Sequence, residues 1–584
     1  MQMFQFLKDK ATEVIGKTFS NDLSSEDSEA EITPCQNEKF GHYQCNSPLR
    51  LAKLLKTNPR VVAQKILESF LQEKESSFFS QIEIAGPGFI NFTFHPEFVA
   101  KEVQKILLDA RLNIPTITPK AKVIVEFSSP NIAKELHVGH LRSTIIGESL
   151  ARVFEFLGYE VLRLNHIGDW GTQFGMLIAY LKEKKPEILE EEKQLSLEEL
   201  MNCYKSSKKL FDEDPSFKKR AQLEVVSLQA RDETSLHIWE KICHISRITF
   251  EKIYRLLDVS IQERGESFYH PFLHQVIEEI EKKDLVEVSD GAKCVFLEGF
   301  VSKDNKPLPL IIQKSDGGFN YATTDLAALR HRVLAEKADR ILLVVDQGQA
   351  LHFSMVFATA KKAGFYDPAK TQVDHVGFGV VLGTDGKKFK TRSGESIKLI
   401  QLLEDGILHA KKILEEKVPD MNPQEKEHLA ENIGIAAIKY ADLSSHRQKD
   451  YIFSYDRMLR FEGNTAVFLL YSYVRIQGIK RRVKANMSSL LKNHTIKLNH
   501  PSEISLGFHL LRFSEVLEQV AQDLLPHRLC DYLYEMAEKF NAFFRDCRVE
   551  GEKEQNSRLL LCEAVGKTLK QGLYLLGIKT VDRM

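Results

Sequence analysis

Residues 127–146 read FSSPNIAKELHVGHLRSTII, and the interpretation of the whole chain depends on this stretch. An apolar run precedes it at 123–125, turn and capping residues occupy 128–131, and a helical pattern follows. Strand, tight turn and helix direct free backbone N–H groups and the positive end of a helix dipole at a phosphate. His137 and His140 add donors, and Gly139 lets a ligand approach the backbone. The same residues also fit a core strand followed by a surface helix whose histidines have no function. The rest of the sequence is needed to distinguish this alternative from a phosphate-binding turn.

Length and composition narrow the class of protein. A chain of 584 residues is too long for one core, so we expect about three or four domains. It is 43% hydrophobic and 28% charged, as is typical of globular proteins. No apolar run reaches the roughly 18–20 residues that span a membrane, and the N-terminus lacks the features of a secretory signal. The net charge of −1 neither requires nor excludes a nucleic-acid partner.

The cysteines indicate the cellular compartment. All eight are scattered along the chain, and none forms a CxxC pair. A structural zinc site is therefore not expected, and a disulfide framework is not expected in so large a chain. We predict a reducing, cytoplasmic location.

The secondary-structure patterns predict a multidomain α/β protein. Residues 1–115 mix helical and strand-like segments and predict an α+β domain. Residues 116–400 predict an α/β domain, with strands at 159–164, 292–297, 308–314 and 340–345 besides the opening one. A charged, helical stretch at about 183–260 interrupts it as an insertion. Residues 401–584 are almost wholly helical and predict a helical bundle.

Several polar segments are predicted at one edge of the sheet, because ligands of open α/β sheets bind beyond the carboxyl ends of the strands. These segments are the HxGH turn, the loop 165–171, the segments 321–325 and 346–349, and the lysine-rich loop 387–392. Cations and amide donors on both sides of a triphosphate offset the charge that builds up when a phosphate is displaced. The HxGH turn and the lysine-rich loop together suit that task.

The stretch FSSPNIAKELHVGHLRSTIIG at 127–147 resembles the HIGH-motif segment of class I aminoacyl-tRNA synthetases, and specifically of arginyl-tRNA synthetases. The resemblance continues in the family's order through NHIGDWGTQFGML at 165–177, YATTDLAALRHR at 321–332 and DQGQALHF at 346–353. At the C-terminus it includes FNAFFRDCRV at 540–549 and LYLLGIKTVDRM at 573–584. At the N-terminus GHYQCN at 41–46 and GPGFINFTF at 86–94 are similar to the family's added first domain. The likeness thus extends over nearly the whole chain.

This resemblance implies a function and a domain plan. The chain would be an arginine–tRNA ligase that activates L-arginine with ATP and transfers it to the 3′-terminal adenosine of tRNA(Arg) for protein synthesis. Residues 1–115 would contact the tRNA D-loop, 116–400 would be the Rossmann-like catalytic domain with a parallel sheet, and 401–584 would bind the anticodon. ATP would enter with Mg²⁺ as a substrate, no tightly bound cofactor or protein-held metal is expected, and the chain is expected to be a monomer.

The resemblance also implies site residues, grouped here by partner. Those expected at ATP are Ser129, Pro130, His137, Gly139, His140 and Lys388. Those expected to act in catalysis are His137, His140, Lys134, Lys388, Lys390 and Arg392. Those expected at the substrate arginine are Glu126, Asn131, Tyr321, Asp325 and Gln349. Those expected at tRNA are Asn91, Tyr471 and Arg475. Carboxylates in the arginine group agree with the chemistry of guanidinium, a planar cation with five donors.

One departure from the family pattern leaves a question open. Residues 388–393 read KFKTRS where class I enzymes usually carry KMSKS, and in arginyl enzymes a lysine before the HIGH motif is thought to share the task. Lys134 occupies that position. Which of Lys134, Lys388, Lys390 and Arg392 does most for the leaving pyrophosphate therefore stays open.

Two other functional classes stay open as well. The first is a different enzyme on the same HxGH scaffold, such as another class I synthetase or a small nucleotidylyltransferase. The second is an RNA-binding paralogue without catalytic activity. A paralogue is expected to have lost phosphate or pocket groups, whereas Lys134, His137, His140, Glu126 and Asp325 are all present.

Overall fold

The structure is a computed structural model that describes residues 2–35, 37–118, 120–189, 195–302, 304–389 and 397–584. Packing divides the chain into two compact units. The first comprises Met1–Pro115, Arg460–Tyr574 and Lys579–Met584, and the second comprises Thr116–Leu459 and Leu575–Ile578. Among the described residues, no helix is both long enough and apolar enough to cross a membrane.

The N-terminal part of the first unit is an α+β domain, as predicted. Its helices are α1 (Met3–Thr18), α2 (Ser47–Leu54), α3 (Pro59–Leu71) and α4 (Pro96–Leu108). Its strands are β1 (Ile32–Pro34), β2 (Tyr43–Cys45), β3 (Phe79–Ala85) and β4 (Phe89–Phe94), and they form an antiparallel sheet in the order β1-β2-β4-β3. Along β4, Ile90, Phe92 and Phe94 alternate into the core, as the period-2 pattern of a strand requires, and Asn91 on the opposite face is buried as well.

The second unit contains most of the remaining elements. Its strands are β5 (Lys122–Glu126), β6 (Glu160–Asn165), β7 (Gln262–Glu263), β8 (Glu287–Ser289), β9 (Ala292–Val301), β10 (Pro307–Gln313), β11 (Arg340–Leu343), β12 (Gln372–His375), β13 (Val381–Leu382) and β14 (Tyr451–Ile452). Its helices are α5 (Val138–Leu157), α6 (Thr172–Lys184), α7 (Leu197–Glu213), α8 (Pro215–Gln229), α9 (Glu233–Leu256), α10 (Glu266–Tyr269), α11 (Leu273–Glu281), α12 (Tyr321–Leu334), α13 (Ala350–Ala363), α14 (Leu399–Lys417), α15 (Pro423–Leu443) and α16 (Tyr455–Met458).

The predicted Rossmann-like parallel sheet is confirmed. Five parallel strands lie in the order β12-β11-β5-β6-β7, with β5 in the centre. The residues Val123, Ile124 and Val125 of β5 are all fully buried, as expected for a parallel strand covered on both faces. Because β6 lies on one side of β5 and β11 on the other, the strand order reverses at β5. Such a reversal opens a crevice at the carboxyl ends of the strands.

Two predicted strands belong elsewhere. The sequence predicts that the segments at 292–297 and 308–314 continue the parallel sheet, but β9 pairs with both β10 and β8 in a separate antiparallel sheet of order β10-β9-β8. The reason is the short connection between β9 and β10, because parallel neighbours need a crossover of a dozen or more residues. That hairpin leads into α12.

The C-terminal part of the first unit is helical, as predicted. Its helices are α17 (Ala466–Arg482), α18 (Met487–Asn493), α19 (Pro501–Leu511), α20 (Phe513–Asp523), α21 (His527–Asp546) and α22 (Gln555–Leu575). The helices α14 and α15 follow the sequence-based limit at residue 400, yet their packing places them in the second unit with the parallel sheet.

A buried ion pair joins α5 to α15. Arg142 Nε lies 3.0 Å from Asp442 Oδ2, and neither side chain is more than 1% exposed. The Arg142 guanidinium also donates to the Lys449 carbonyl at 3.1 Å and lies over the Tyr451 ring at 5.2 Å. The helix that carries both histidines is thereby fixed to the segment that follows the lysine-rich loop.

We expect Asp442→Ala to destabilise the second unit strongly. The substitution leaves the Arg142 charge buried without its carboxylate, and breaking such a pair costs about 3–5 kcal/mol. The matched control is Asp212→Ala on α7, which breaks the exposed pair between Lys208 and Asp212 (2.7 Å) and costs about 1 kcal/mol or less. Thermal and urea unfolding measure both. Equal effects of the two substitutions would contradict the importance of the buried pair.

Candidate active site

The turn between β5 and α5 has an unusual backbone that neighbouring side chains hold. Ser128 and Ser129 have φ values of 69° and 48°, in the left-handed region that non-glycine residues rarely adopt. The Ser128 N–H donates to Ser143 Oγ and the Ser129 N–H to Asn165 Oδ1, each at 2.9 Å. The Tyr254 hydroxyl lies 2.8 Å from Ser128 Oγ, and burial raises the pKa of Tyr254 to about 12. Groups from α5, β6 and α9 thus fix this turn.

The loop after β6 lies beside the same turn, as the sequence predicts. The Gly168 N–H donates to the Pro130 carbonyl at 3.0 Å, and the Ile132 N–H donates to the Gly168 carbonyl at 3.1 Å. Asn131 is exposed, and its Oδ1 lies where a Cβ at position 168 would approach to 2.1 Å. A side chain at 168 would therefore displace the amide of Asn131 from its position.

His137 and His140 form a reciprocal cap at the start of α5. His137 Nδ1 accepts the Gly139 N–H at 3.1 Å, and His140 Nδ1 accepts the His137 N–H at 3.0 Å. Burial, followed by the charge of Lys134, lowers the pKa of His137, and burial lowers the pKa of His140 to about 3. Both rings are therefore neutral at pH 7, and because Nδ1 accepts in each, the proton is on Nε2. Each histidine keeps one N–H donor for a ligand at the helix N-terminus.

Two of the four cationic residues expected near the phosphates lie within the described ranges. Lys134 is exposed, and its Nζ lies 5.8 Å from the centre of the Tyr204 ring on α7. Lys388 is exposed and forms a backbone bridge with Leu382. Lys390 and Arg392 lie outside the described residues. Lys398, six residues after residue 392, forms a backbone bridge with His137, so this part of the chain lies beside the histidine turn.

Three of the residues predicted for the arginine pocket lie at the starts of α12 and α13. Tyr321 is the first residue of α12 and is 65% exposed, and Asp325 lies one turn further along. Gln349 is exposed and immediately precedes α13. Asp325 Oδ2 lies 2.6 Å from His352 Nε2, and the Tyr321 and His352 rings meet at 4.8 Å between centroids. The sequence reasoning did not identify His352, although the DQGQALHF segment contains it.

Glu126 is placed at the same edge but already has a cationic partner. It ends β5, is 7% exposed, and its Oε2 contacts the guanidinium of Arg332. The ring of His166 is further away, with Nδ1 at 3.9 Å from that oxygen. Burial acts to lower the pKa of Arg332, but Glu126 and Tyr269 together outweigh it, so the pKa is raised. Most of the Glu126 charge is therefore compensated within the chain.

Glu266 is a carboxyl group that the sequence reasoning missed. It begins α10, directly beyond the carboxyl end of β7, and its own N–H donates to the Ile167 carbonyl at 3.0 Å. Burial, with the nearby charges of Asp169 and Asp325, raises the pKa of Glu266 to about 8. The available signal was its place at a strand end in the sequence RGES at 264–267.

The loop that carries Glu266 is held to the loop after β6. The Ser267 N–H and hydroxyl donate to the two oxygens of Asp169 at 2.8 and 2.6 Å. A Cβ at Gly265 would come within 2.4 Å of that carboxyl, so glycine permits the approach. Asp169 is buried and both of its oxygens accept from Ser267, so Glu266 and Asp325 are the neighbouring carboxyl groups better placed for a cationic ligand.

The residues predicted to contact tRNA lie in the first unit. Asn91 is 1% exposed within β4; its Oδ1 accepts from Gln44 Nε2 at 3.0 Å, while its Nδ2 has no partner among the described residues. The Arg475 guanidinium lies 5.0 Å from the centre of the Tyr471 ring and donates to Asn541 Oδ1 at 2.7 Å. Tyr471 is 40% exposed, which leaves part of its ring open to solvent.

Within the described ranges, no group of three or more His, Cys, Asp or Glu side chains is arranged to hold a metal ion.

The side chains at the carboxyl edge of the sheet form two chemically different halves. One half is a helix N-terminus with two imidazole donors and nearby lysines, which suits phosphates. The other half, formed by Asp325, Glu266, Tyr321 and Gln349, suits a cationic group with several donors.

Comparison with known protein families covers most of the chain. The model for "tRNA synthetases class I (R), catalytic domain" matches residues 102–455. The "Arginyl tRNA synthetase N terminal domain" model matches 5–94, and the "DALR anticodon binding domain" model matches 469–584.

Individual relatives agree with these matches. The chain is 60% identical to an arginine–tRNA ligase of Protochlamydia amoebophila over 95% of this chain and 94% of that protein. It is 51% identical to an arginine–tRNA ligase of Trichodesmium erythraeum over 99% of both chains. The crystal structure of arginyl-tRNA synthetase from Plasmodium falciparum superposes with a TM-score of 0.87 at 34% identity, over 100% of this chain and 99% of that one. The chain belongs to the arginyl-tRNA synthetase family of class I aminoacyl-tRNA synthetases.

Proposed function

We propose that the chain is an arginine–tRNA ligase whose active site is the crevice at the carboxyl ends of β5, β6 and β11. The observation that carries the proposal is the pairing of a phosphate-binding helix N-terminus with a carboxyl-lined pocket on the same sheet edge. The substrates are ATP, L-arginine and tRNA(Arg), and Mg²⁺ accompanies ATP as part of that substrate.

The reaction proceeds in two steps. In the first, a carboxylate oxygen of arginine attacks the α-phosphorus of ATP, and pyrophosphate leaves, which gives arginyl-adenylate. In the second, a hydroxyl of the terminal adenosine of tRNA attacks the activated carbonyl carbon, and AMP leaves; class I membership implies the 2′-OH. The nucleophiles belong to the substrates, so the protein contributes orientation and charge stabilisation.

The phosphate half of the site rests on α5. The Nε2–H groups of His137 and His140 donate to phosphate oxygens, and the helix dipole adds to their effect. Lys134 and Lys388 are assigned to the stabilisation of the leaving pyrophosphate on the grounds of the family resemblance, and both side chains are exposed. We retain Lys390 and Arg392 for the same role on the grounds of sequence resemblance alone, together with Ser129, Pro130 and Gly139 as residues that line the nucleotide.

The arginine half of the site rests on Asp325 and Glu266. Arg332 compensates the charge of Glu126, so that carboxylate shapes the pocket while Asp325 and Glu266 supply charge to the guanidinium. Glu266 holds a proton in the empty pocket, since burial and its acidic neighbours raise its pKa to about 8. A bound guanidinium reverses that balance, because a cation within hydrogen-bonding distance favours the ionised carboxylate. Tyr321, Asn131 and Gln349 complete the site at the side chain and amino group of arginine.

The domain plan is proposed with one revision. We place the catalytic domain at residues 116–459 rather than 116–400, because α14 and α15 pack with the unit that holds the parallel sheet. The N-terminal domain and helices α17–α22 are proposed to bind tRNA, with Tyr471 and Arg475 as contact residues. The expectation for Asn91 is withdrawn, because its side chain is 1% exposed and accepts a hydrogen bond from Gln44 within the sheet. The monomeric state and the cytoplasmic location stay predictions.

The function is tested by ATP–pyrophosphate exchange with each amino acid in turn, with and without tRNA. We expect exchange with arginine only, and we expect it to require tRNA, as the family resemblance implies. Exchange with a different amino acid would assign the chain to another class I specificity. Tight tRNA binding without any exchange or charging would favour the paralogue without catalytic activity.

Arginine binding is predicted to release about one proton at pH 7, because Glu266 must ionise to meet the guanidinium. Calorimetric titrations in two buffers with different ionisation enthalpies measure that number. Glu266→Gln is expected to abolish the release and weaken arginine binding, whereas Glu287→Gln at an exposed position on β8 is the matched control and changes neither.

The Glu266 carboxyl group also predicts how the stability of the ligand-free protein depends on pH. The folded, ligand-free protein keeps the Glu266 proton up to about pH 8, whereas the unfolded chain loses it near pH 4.3. Between these pH values the folded state binds more protons, so the free energy of unfolding decreases as pH rises. We expect Glu266→Gln to remove that part of the slope. A wild-type protein that releases no proton on arginine binding would contradict this role.

His140→Asn is predicted to separate the capping role of the ring from its role toward ATP. The Asn Oδ1 takes the place of Nδ1 as acceptor for the His137 N–H, but the Nε2–H donor is lost. We expect the rate of pyrophosphate exchange to fall about 10²–10³-fold with little change in thermal stability. His140→Ala is the companion variant and is expected to lose the cap as well, at about 0.5–2 kcal/mol of stability. Wild-type exchange in His140→Asn would disprove the donor role.

A further inference from the structure

His352 touches two of the side chains that the proposed function assigns to the substrate arginine. Its Nε2 lies 2.6 Å from Asp325 Oδ2, and its ring packs against the ring of Tyr321 with centroids 4.8 Å apart and planes at 62°. We propose that His352 is a positioning residue that fixes the Asp325 carboxylate in the orientation that receives the guanidinium. The inference rests on the proposed function and goes beyond it, because His352 itself need not touch the substrate.

The direction of the hydrogen bond follows from the chemistry of the two groups. An ionised carboxylate has no proton to give, so His352 Nε2 carries the hydrogen and Asp325 accepts it. The two atoms lie 2.6 Å apart, and a hydrogen bond to an ionised acceptor is stronger than one between neutral groups. A carboxylate offers about four lone-pair positions, so one bond to His352 leaves the others for the guanidinium.

The positions of Asp325 and His352 in the fold explain why the Asp325 carboxylate needs a partner to fix its orientation. Asp325 lies near the start of α12 and His352 near the start of α13, so the bond links two helices at the edge of the sheet. The Asp325 side chain is 23% exposed and that of His352 is 16% exposed. Asp325 is therefore accessible to a ligand, but its side chain could also adopt several rotamers. The His352 donor and the Tyr321 ring restrict that choice from two sides.

A purely structural link between α12 and α13 would give the same two contacts, but different kinetics. Loss of a structural link lowers stability and disturbs the ATP and arginine sites together. Loss of carboxylate orientation weakens the binding of arginine but not that of ATP, because the phosphate half of the site lies on α5.

Two substitutions at this position separate the contacts. His352→Phe keeps a ring against Tyr321 and removes the donor, whereas His352→Gln keeps an Nε2–H donor at a similar reach and removes the ring. In tRNA charging by the full-length protein, we expect His352→Phe to raise the KM for arginine about tenfold, with the KM for ATP and the midpoint of thermal unfolding unchanged. His352→Gln is expected to recover most of the arginine affinity. His428→Phe, at an exposed histidine on α15, controls for the change of residue type.

The outcomes distinguish this inference from the proposed function. An unchanged KM for arginine in His352→Phe, while the wild-type protein charges arginine, overturns the positioning role and leaves the function standing. Parallel rises in both KM values with a lower unfolding midpoint, equal in the Phe and Gln variants, show a structural link and also overturn it. A wild-type protein that charges a different amino acid overturns the proposed function and this inference together.

Discussion

The left-handed turn at Ser128 and Ser129 is the constraint on which the active site depends. Non-glycine residues in such backbone conformations cost about 1–3 kcal/mol each, so they persist only where the surroundings fix them. One hydroxyl does much of this, because Ser143 Oγ accepts the Ser128 N–H at 2.9 Å and donates to the Val344 carbonyl at 2.7 Å. The ends of β5 and β11 are thereby held against α5, and Tyr254 adds a tie from the helical insertion. The histidine cap can face a nucleotide only because this turn places it at the edge of the sheet.

In the arginine pocket, neighbouring carboxyl groups repel one another when no cation is bound, and this repulsion favours the binding of a cation. Glu266 lies close enough to Asp169 and Asp325 for their charges to oppose its ionisation, and burial opposes it further. A guanidinium relieves both effects, so part of the cost of assembling the carboxyl groups is returned when the substrate binds. Glu126 differs, since Arg332 already compensates it. Neutral amino acids gain nothing from this effect, because they bring no cation to favour the ionised form of Glu266.

The sequence alone predicts the parts of the fold that local patterns encode. The apolar run of β5 and the capping pattern before α5 identify the phosphate turn, and the family segments place Asp325 and Tyr321. The sequence does not predict that β9 and β10 leave the parallel sheet, because the residues of a short hairpin do not state which sheet they join. It also misses Glu266, which lies 140 residues from Glu126 and is separated from it by the helical insertion. Strand alternation places Asn91 on the face of β4 opposite to Ile90 and Phe92, but it does not predict that this face is covered as well at Asn91, which is 1% exposed.

The central claim is that one crevice holds phosphates on the histidine cap and a guanidinium on the carboxyl groups. A crystal structure with arginine and a non-hydrolysable ATP analogue tests it most directly. The account predicts phosphate oxygens within hydrogen-bonding distance of His137 and His140 Nε2, and the guanidinium between Asp325 and Glu266. Arginine bound away from both carboxyl groups, or phosphates bound away from the start of α5, would contradict it.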